Sequence, residues 1–249
     1  MLDDKIYVGM DVAAWNDVTR TTEVHATLVT AVGGGPLRTL VTGGRRTHSG
    51  PYSSAKTNRS QPWKAPAEVA RMMVCEVDSA VETYLAQPHR LDFRVESERL
   101  QFFPDLKIVY RSGATAVERI RSKAEVTRGL GESRAESLAR HAYGLLGWEF
   151  RVLDPGKAEE GRAVGNARRI QLDRWTIVDA RQMRRALDAL DRAGGQTAFG
   201  VVVDAMGGDA AARAQLHALI IRAHVAIDLD AIFDDDTAVR RGPVAGKGN

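Results

Sequence analysis

Two carboxylates stand where an acid is costly unless something uses it. Asp105 heads an apolar run, Leu106-Lys107-Ile108-Val109-Tyr110, directly after Pro104. Burying an ionised group without a partner is strongly unfavourable. Upstream, Glu68 follows Pro66 at the start of a stretch whose Val69, Met72, Met73, Val77 and Val81 recur at helical spacing. Carboxylates on adjacent elements can share a divalent cation through oxygen ligands. A cation so held binds phosphate and lowers the pKa of an attacking water. A plain strand-end Asp and a helix-start Glu serving the helix dipole would use the same residues. The two readings part on whether the carboxylates meet.

Several elements must position them. Residues 5–12, Val24–Val32 and Leu37–Val41 read as strands, the last two split by Gly33-Gly34-Gly35. Residues 43–64, rich in Gly, Ser, Arg, Lys and Pro, read as an extended basic loop. Pro66 opens a helix. Leu91–Val95, Phe102–Tyr110 and Ala114–Ile120 read as three strands, with Ser112-Gly113 turning between the last two. Glu132–Leu146 is a helix that Gly147 ends, and Trp148–Leu153 alternates as a strand. Helix, antiparallel strands, helix, strand describes an α/β layer with a mixed sheet.

Asp154-Pro155-Gly156-Lys157 breaks the pattern and marks a domain boundary. The expected division is an N-terminal extension or strands (1–44), an α/β domain (45–156), a mainly helical domain (157–241) and a disordered tail (242–249). In the third part, helices Ala180–Ala193, Phe199–Ala205 and Ala210–Ala223 precede a strand-like Val225–Leu229. Helix, turn, helix, short strand is how a winged helix-turn-helix reads, and plain helical packing reads the same way.

Composition narrows the function classes. Hydrophobic residues are 44% and charged residues 27%, ordinary globular usage that excludes a fibrous or disordered chain. The single cysteine, Cys75, rules out a disulfide framework, points to a reducing, cytoplasmic setting, and reads as a structural thiol. No run of about 18 apolar residues predicts a membrane span, and no secretory leader is visible. Six histidines lack ligand spacing, and the glycine pairs lack a following Lys-Ser/Thr, so neither a zinc site nor a P-loop is expected. The net charge of +3 is small, but Arg45, Arg46, Lys56, Arg59 and Lys64 cluster in a stretch without Asp or Glu. Such a field attracts polyanions, so these five are the candidate DNA contacts; a solvated loop is the competing reading.

Four ordered blocks resemble the TnsA family of transposon endonucleases. They are Gly50-Pro51-Tyr52-Ser53-Ser54-Ala55-Lys56-Thr57-Asn58-Arg59; Glu68 with Glu76-Val77-Asp78-Ser79-Ala80-Val81 and Gln87-Pro88; Phe103-Pro104-Asp105; and Gly147-Trp148-Glu149-Phe150-Arg151-Val152. Asn166-Ala167-Arg168, Val225–Leu229 and Asp236-Thr237-Ala238-Val239 resemble that family's C-terminal partner-binding domain. The likeness covers roughly residues 43–241. It implies a restriction-endonuclease-like mixed sheet flanked by helices, a PD-(D/E)xK nuclease fold, followed by a small winged-helix-like domain. It implies cleavage of double-stranded DNA with Mg²⁺ or Mn²⁺, Glu68 and Asp105 as metal ligands, and a transposase and an ATPase as partners.

The resemblance also implies a Glu or Gln, one residue and a lysine on the next strand, and there Ala114–Lys123 departs from it. With Glu118 as the acid, Ile120 falls at the lysine position. With Lys123 as the lysine, Arg121 falls at the acid position. The register Arg119-Ile120-Arg121 keeps neither group. Strand alternation lets one register face the site. Glu118 and Lys123 therefore join the candidate catalytic set, and three functions remain open: an active nuclease with a rearranged site, a nuclease-like fold that only binds and assembles, or a regulatory DNA-binding protein that uses the C-terminal helix-turn-helix.

Overall fold

The computed structural model of the chain describes residues 5–17, 20–38 and 49–243, with side chains left undescribed over 11–23. The molecule is mixed α/β with several sheets. A long hairpin of β1 (Lys5–Asp17) and β2 (Arg20–Ala31) opens the chain. A second hairpin follows, β3 (Gly50–Ser54) with β4 (Arg59–Trp63). Next come helix α1 (Pro66–Val77) and strands β5 (Val81–Ala86), β6 (His89–Val95), β7 (Glu98–Phe102), β8 (Leu106–Tyr110) and β9 (Thr115–Ile120). Helices α2 (Lys123–Thr127) and α3 (Arg134–Leu145) lead to β10 (Glu149–Leu153). The remainder is α4 (Pro155–Glu159), α5 (Arg162–Ile170), α6 (Ala180–Arg192), β11 (Gln196–Ala198), α7 (Phe199–Met206), α8 (Ala210–Ile221), β12 (Val225–Ile227) and β13 (Ala238–Arg241).

Two four-stranded sheets carry the N-terminal part, in the orders β1-β2-β6-β7 and β10-β9-β8-β5. In the second, β5, β8 and β9 form an antiparallel run, and β10 joins β9 in parallel after the α3 crossover. Leu106 pairs with Glu118 and Ile108 with Ala116 across β8 and β9. One face of this sheet packs Leu106, Ile108 and Tyr84 against Met72 and Cys75 of α1. Val117 and Phe150 pack with Leu138 and Tyr143 of α3 and with Leu91, Phe93 and Phe102 of the first sheet.

Helix α1 is apolar around most of its girth, which suits a helix covered on both sides. Its Ala70, Val74 and Val77 enter the core of α5, α6, α7 and α8, with Leu190, Phe199, Leu216 and Ile220. The boundary expected after Gly156 falls inside α4. Asp179 and Asp209 cap α6 and α8 by accepting from Gln182 N–H and Ala212 N–H, each at the helix start. Strands β11, β13 and β12 close this part as a small antiparallel sheet.

Three expectations are corrected. Residues 49–64 are a hairpin, not an extended loop; residues 43–48 lie outside the described residues. The hairpin is tied down by Glu76 of α1, which accepts from Ser54 Oγ and the N–H groups of Ala55 and Lys56 at 2.6, 2.8 and 2.9 Å. Gln61 adds a second tie, donating to Tyr84 O and accepting from Ala86 N–H. Phe102–Tyr110 is two strands in two sheets, because Pro104 has no N–H for a ladder and the chain crosses between layers there. Leu37 and Arg38 are not in a strand: Gly33 and Gly34 turn the chain at φ 81° and 65°, and Leu37 N–H then donates to Gln87 O. Residues 39–41 of that expected strand lie outside the described residues. So do residues 1–4 and 244–249; of the expected tail, Gly242 donates its N–H to His224 O. No helix among the described residues is long and apolar enough to cross a membrane.

Candidate active site

Glu68 sits in the first turn of α1, where Pro66 starts the helix. Its Oε2 accepts the Lys64 backbone N–H at 3.0 Å, which caps the helix start from inside. Asp105 sits between Pro104 and β8, and its N–H and C=O are used by Glu118 O and Gln87 N–H. Both carboxylates are buried, at 3% and 2% exposure, so neither is a solvated surface acid.

The two meet through Lys64. Its ammonium lies 2.7 Å from Asp105 Oδ1 and 3.7 Å from Glu68 Oε1, and the lysine side chain remains 46% exposed. Asp105 Oδ2 accepts the Ile120 backbone N–H at 2.7 Å, and Gln87 Nε2 approaches Oδ1 at 3.4 Å. A cleft of about 750 Å³ opens over this group, with Arg38, Phe103, Arg119, Arg121 and Glu136 among its walls.

Burial, then the neighbouring Asp105 charge, pushes the Glu68 carboxyl up from 4.5 to about 7, against the pull of Lys64. A carboxyl whose folded pKa lies above its unfolded value stabilises the fold fully below the unfolded pKa. That contribution fades as pH rises through about 7. In metal-free buffer, Glu68→Gln is therefore expected to be more stable than the parent at pH 8.5, by about 3 kcal/mol, and equal to it at pH 4. Urea melts at the two pH values check this, and a difference independent of pH would refute it.

Strand β9 turns its candidate acid away from the cleft. Glu118, 1% exposed, takes a two-pronged ion pair from Arg71 of α1, with both contacts at 2.8 Å. Arg151 stands 3.8 Å off. Lys123 begins α2, is 75% exposed and pairs with Glu159 at 3.2 Å. Of the three registers, the one lining the cleft carries Arg119 and Arg121. Arg119 is clamped by Glu125 at 2.6 Å and lies 3.7 Å from Glu136 and 3.8 Å from Asp105. At Ile120 the backbone N–H serves the site, while the side chain packs with Ala67 and Ala158. Glu68 and Asp105 are thus brought together; Glu118 and Lys123 are not.

The basic candidates scatter. Arg45 and Arg46 lie outside the described residues. Lys56 is turned away from the cleft onto Cys75 O and Asp78 O at 2.8 and 2.6 Å, and burial pulls its ammonium down to about 8. Arg59 donates to Gly34 O at 2.6 Å on the surface. Of the three described candidates, Lys64 alone reaches the cleft. Its place beside Asp105 had no local signal, since the two are far apart in sequence. Arg71 did carry one: it follows Glu68 by three positions, on the same helix side. Cys75 is fully buried, and burial pushes its thiol up to about 12, which fits a structural residue. No family model and no curated protein matches the chain.

Proposed function

We propose that the chain is a TnsA-like DNA-cleaving protein of a mobile element, hydrolysing phosphodiester bonds at Glu68 and Asp105 with a divalent cation. The observation that carries the reading is the convergence of two buried carboxylates and one half-exposed ammonium at the base of a cleft. The element order supports it: α1, an antiparallel β5-β8-β9 run, α3, then β10 parallel to β9. In the chain β6 and β7 stand between β5 and β8, and α2 precedes α3; the mixed sheet flanked by helices is what the resemblance to a restriction-endonuclease-like core implies. In the C-terminal part, α7, a Gly207-Gly208 turn, α8 and the β11-β13-β12 sheet support a winged-helix-like module. A transposase and an ATPase are its proposed partners.

The donors fit Mg²⁺ or Mn²⁺. Among the described residues no group of three or more Asp, Glu, His or Cys is placed to hold a metal. Mg²⁺, however, is commonly held by one or two carboxylates, with water and substrate phosphate completing its shell. Glu68 and Asp105 already flank one cation, the Lys64 ammonium. The bound metal would supply an activated water and charge neutralisation at phosphorus. Lys64 offers a movable positive charge for the developing phosphorane, in place of the lysine that β9 lacks. The Ile120 N–H and Gln87 hold Asp105 in position.

One observation favours a binding-only alternative. Arg119 lines the cleft where a third acid is expected, and Glu118 is neutralised by Arg71. Plasmid nicking separates the two readings. The nuclease should nick supercoiled DNA with Mg²⁺ or Mn²⁺ and stop in EDTA. Tight DNA binding with no nicking at stoichiometric protein would establish the alternative.

A further inference from the structure

Lys56, Arg111, Arg174 and Arg222 line a separate recess of about 370 Å³ together with Trp175. Glu82 is the one acid in its wall. Each cation is held by neutral groups. Arg111 Nε donates to Ser79 O at 3.1 Å, Arg222 Nη2 to Thr176 O at 2.6 Å, and Arg174 Nε to Ser53 O at 2.9 Å. Lys56 donates to the carbonyls at the end of α1. None of the four forms an ion pair among the described residues, whereas Lys64, Arg71 and Arg119 near the candidate active site all do. Carbonyls orient a guanidinium without cancelling its charge. The remaining acids nearby are buried Glu76, which already accepts four hydrogen bonds, and Asp78; against the burial that lowers the Lys56 pKa both raise it, Glu76 more than Asp78. Arg222 and Arg111 also hold His224 below its ordinary pKa, after burial, so the positive field reaches beyond the recess.

Trp175 gives the recess a flat apolar wall. Its side of the site is open, at 56% exposure, and the Arg174 guanidinium lies 5.9 Å from its ring centre. Planar guanidiniums match phosphate oxygens, and an exposed indole matches a base or sugar face. An acidic peptide would satisfy the charges but leave the indole without a matched surface.

We propose that this recess grips the backbone of a nucleic-acid strand, phosphates on Arg111 and Arg222 and a base or sugar on Trp175. The site is distinct from the cleft. Lys56 donates to the carbonyl of Asp78, just past the end of α1, and Glu68 lies ten residues before Asp78, roughly 15 Å away along a helix axis. The identity of the strand as DNA rests on the proposed function; the grip itself requires no cleavage.

The test uses the full chain in EDTA with a fluorescein-labelled 30-base-pair duplex, titrated from 50 to 300 mM KCl. Arg111→Gln with Arg222→Gln changes two exposed residues. It is expected to weaken binding roughly tenfold at low salt and to lower the slope of log K against log salt by about 2, one unit per lost phosphate contact. The Lys pair at the same positions should keep the slope. Trp175→Phe should remove the DNA-induced change in tryptophan fluorescence, an independent reading should the Gln pair unfold. An unchanged slope in a folded Gln pair overturns the proposal. So does a Gln pair that loses a poly-glutamate peptide while keeping DNA, which would assign the recess to a protein partner. If metal-dependent nicking persists with an unchanged slope, the recess alone is refuted and the proposed function stands.

Discussion

Asp105→Asn is expected to lower metal-dependent DNA cleavage on the order of 10³-fold, the loss of several kcal/mol of charge stabilisation. The carboxylate has two tasks here. One oxygen faces Lys64, on the open side of the cleft, and the other takes the Ile120 N–H. An amide keeps the volume but halves the acceptor capacity. Whichever way it turns, its NH₂ points at a donor, either Lys64 or Ile120 N–H. Some stability is therefore lost as well, about 1–3 kcal/mol, the cost of one buried donor left unmatched. The two effects separate experimentally. Nicking rates at saturating protein report the first, and urea unfolding in EDTA reports the second. A variant that unfolds more easily yet nicks at the parental rate would place the chemistry elsewhere.

Arg71→Met should destabilise the fold by about 3–5 kcal/mol, because it strands the buried Glu118 carboxylate. Two 2.8 Å contacts vanish, and Arg151 at 3.8 Å is the remaining cation within reach. Methionine fills the space of the arginine stem, so the loss is one of charge balance more than of packing. Adding Glu118→Leu removes the stranded charge and is expected to restore most of the stability, since apolar replacement of a buried pair is often neutral or better. Urea midpoints of the parent, the single variant and the double variant check the pattern. If Arg71→Met melts within 0.5 kcal/mol of the parent, roughly the scatter of a neutral surface change, the pair is not a structural tie. The same variants bear on function: were Glu118 a metal ligand, Glu118→Leu would abolish nicking. Held by Arg71 and outside the cleft wall, it should leave nicking largely intact.

Local signals were legible. Pro66 and the three- and four-residue spacing after it marked α1, and Gly147, at φ 69°, marked the end of α3. The turn at Ser112-Gly113 placed β8 and β9 side by side. Two errors share a cause. The β3–β4 hairpin is short and polar, and it is held by Glu76 and Gln61 contacts with α1 and β5 rather than by its own periodicity. The break at Phe103-Pro104-Asp105 separates strands that belong to different sheets, which no window of neighbouring residues records.

By itself the sequence determined that Glu68 would lie at a helix start and Asp105 at a strand head, because proline chemistry and hydrophobic period act over a few residues. Only the tertiary structure decided what surrounds them. In β9 a shift of one residue exchanges every side chain between faces, and local spacing is equally content with either choice. The pairing of Leu106 with Glu118, and Arg71 reaching over from α1, turned Glu118 inward and left Arg119 and Arg121 on the cleft. Lys64 came to the carboxylates by the same long-range route, carried there by a hairpin that Glu76 and Gln61 fasten in place.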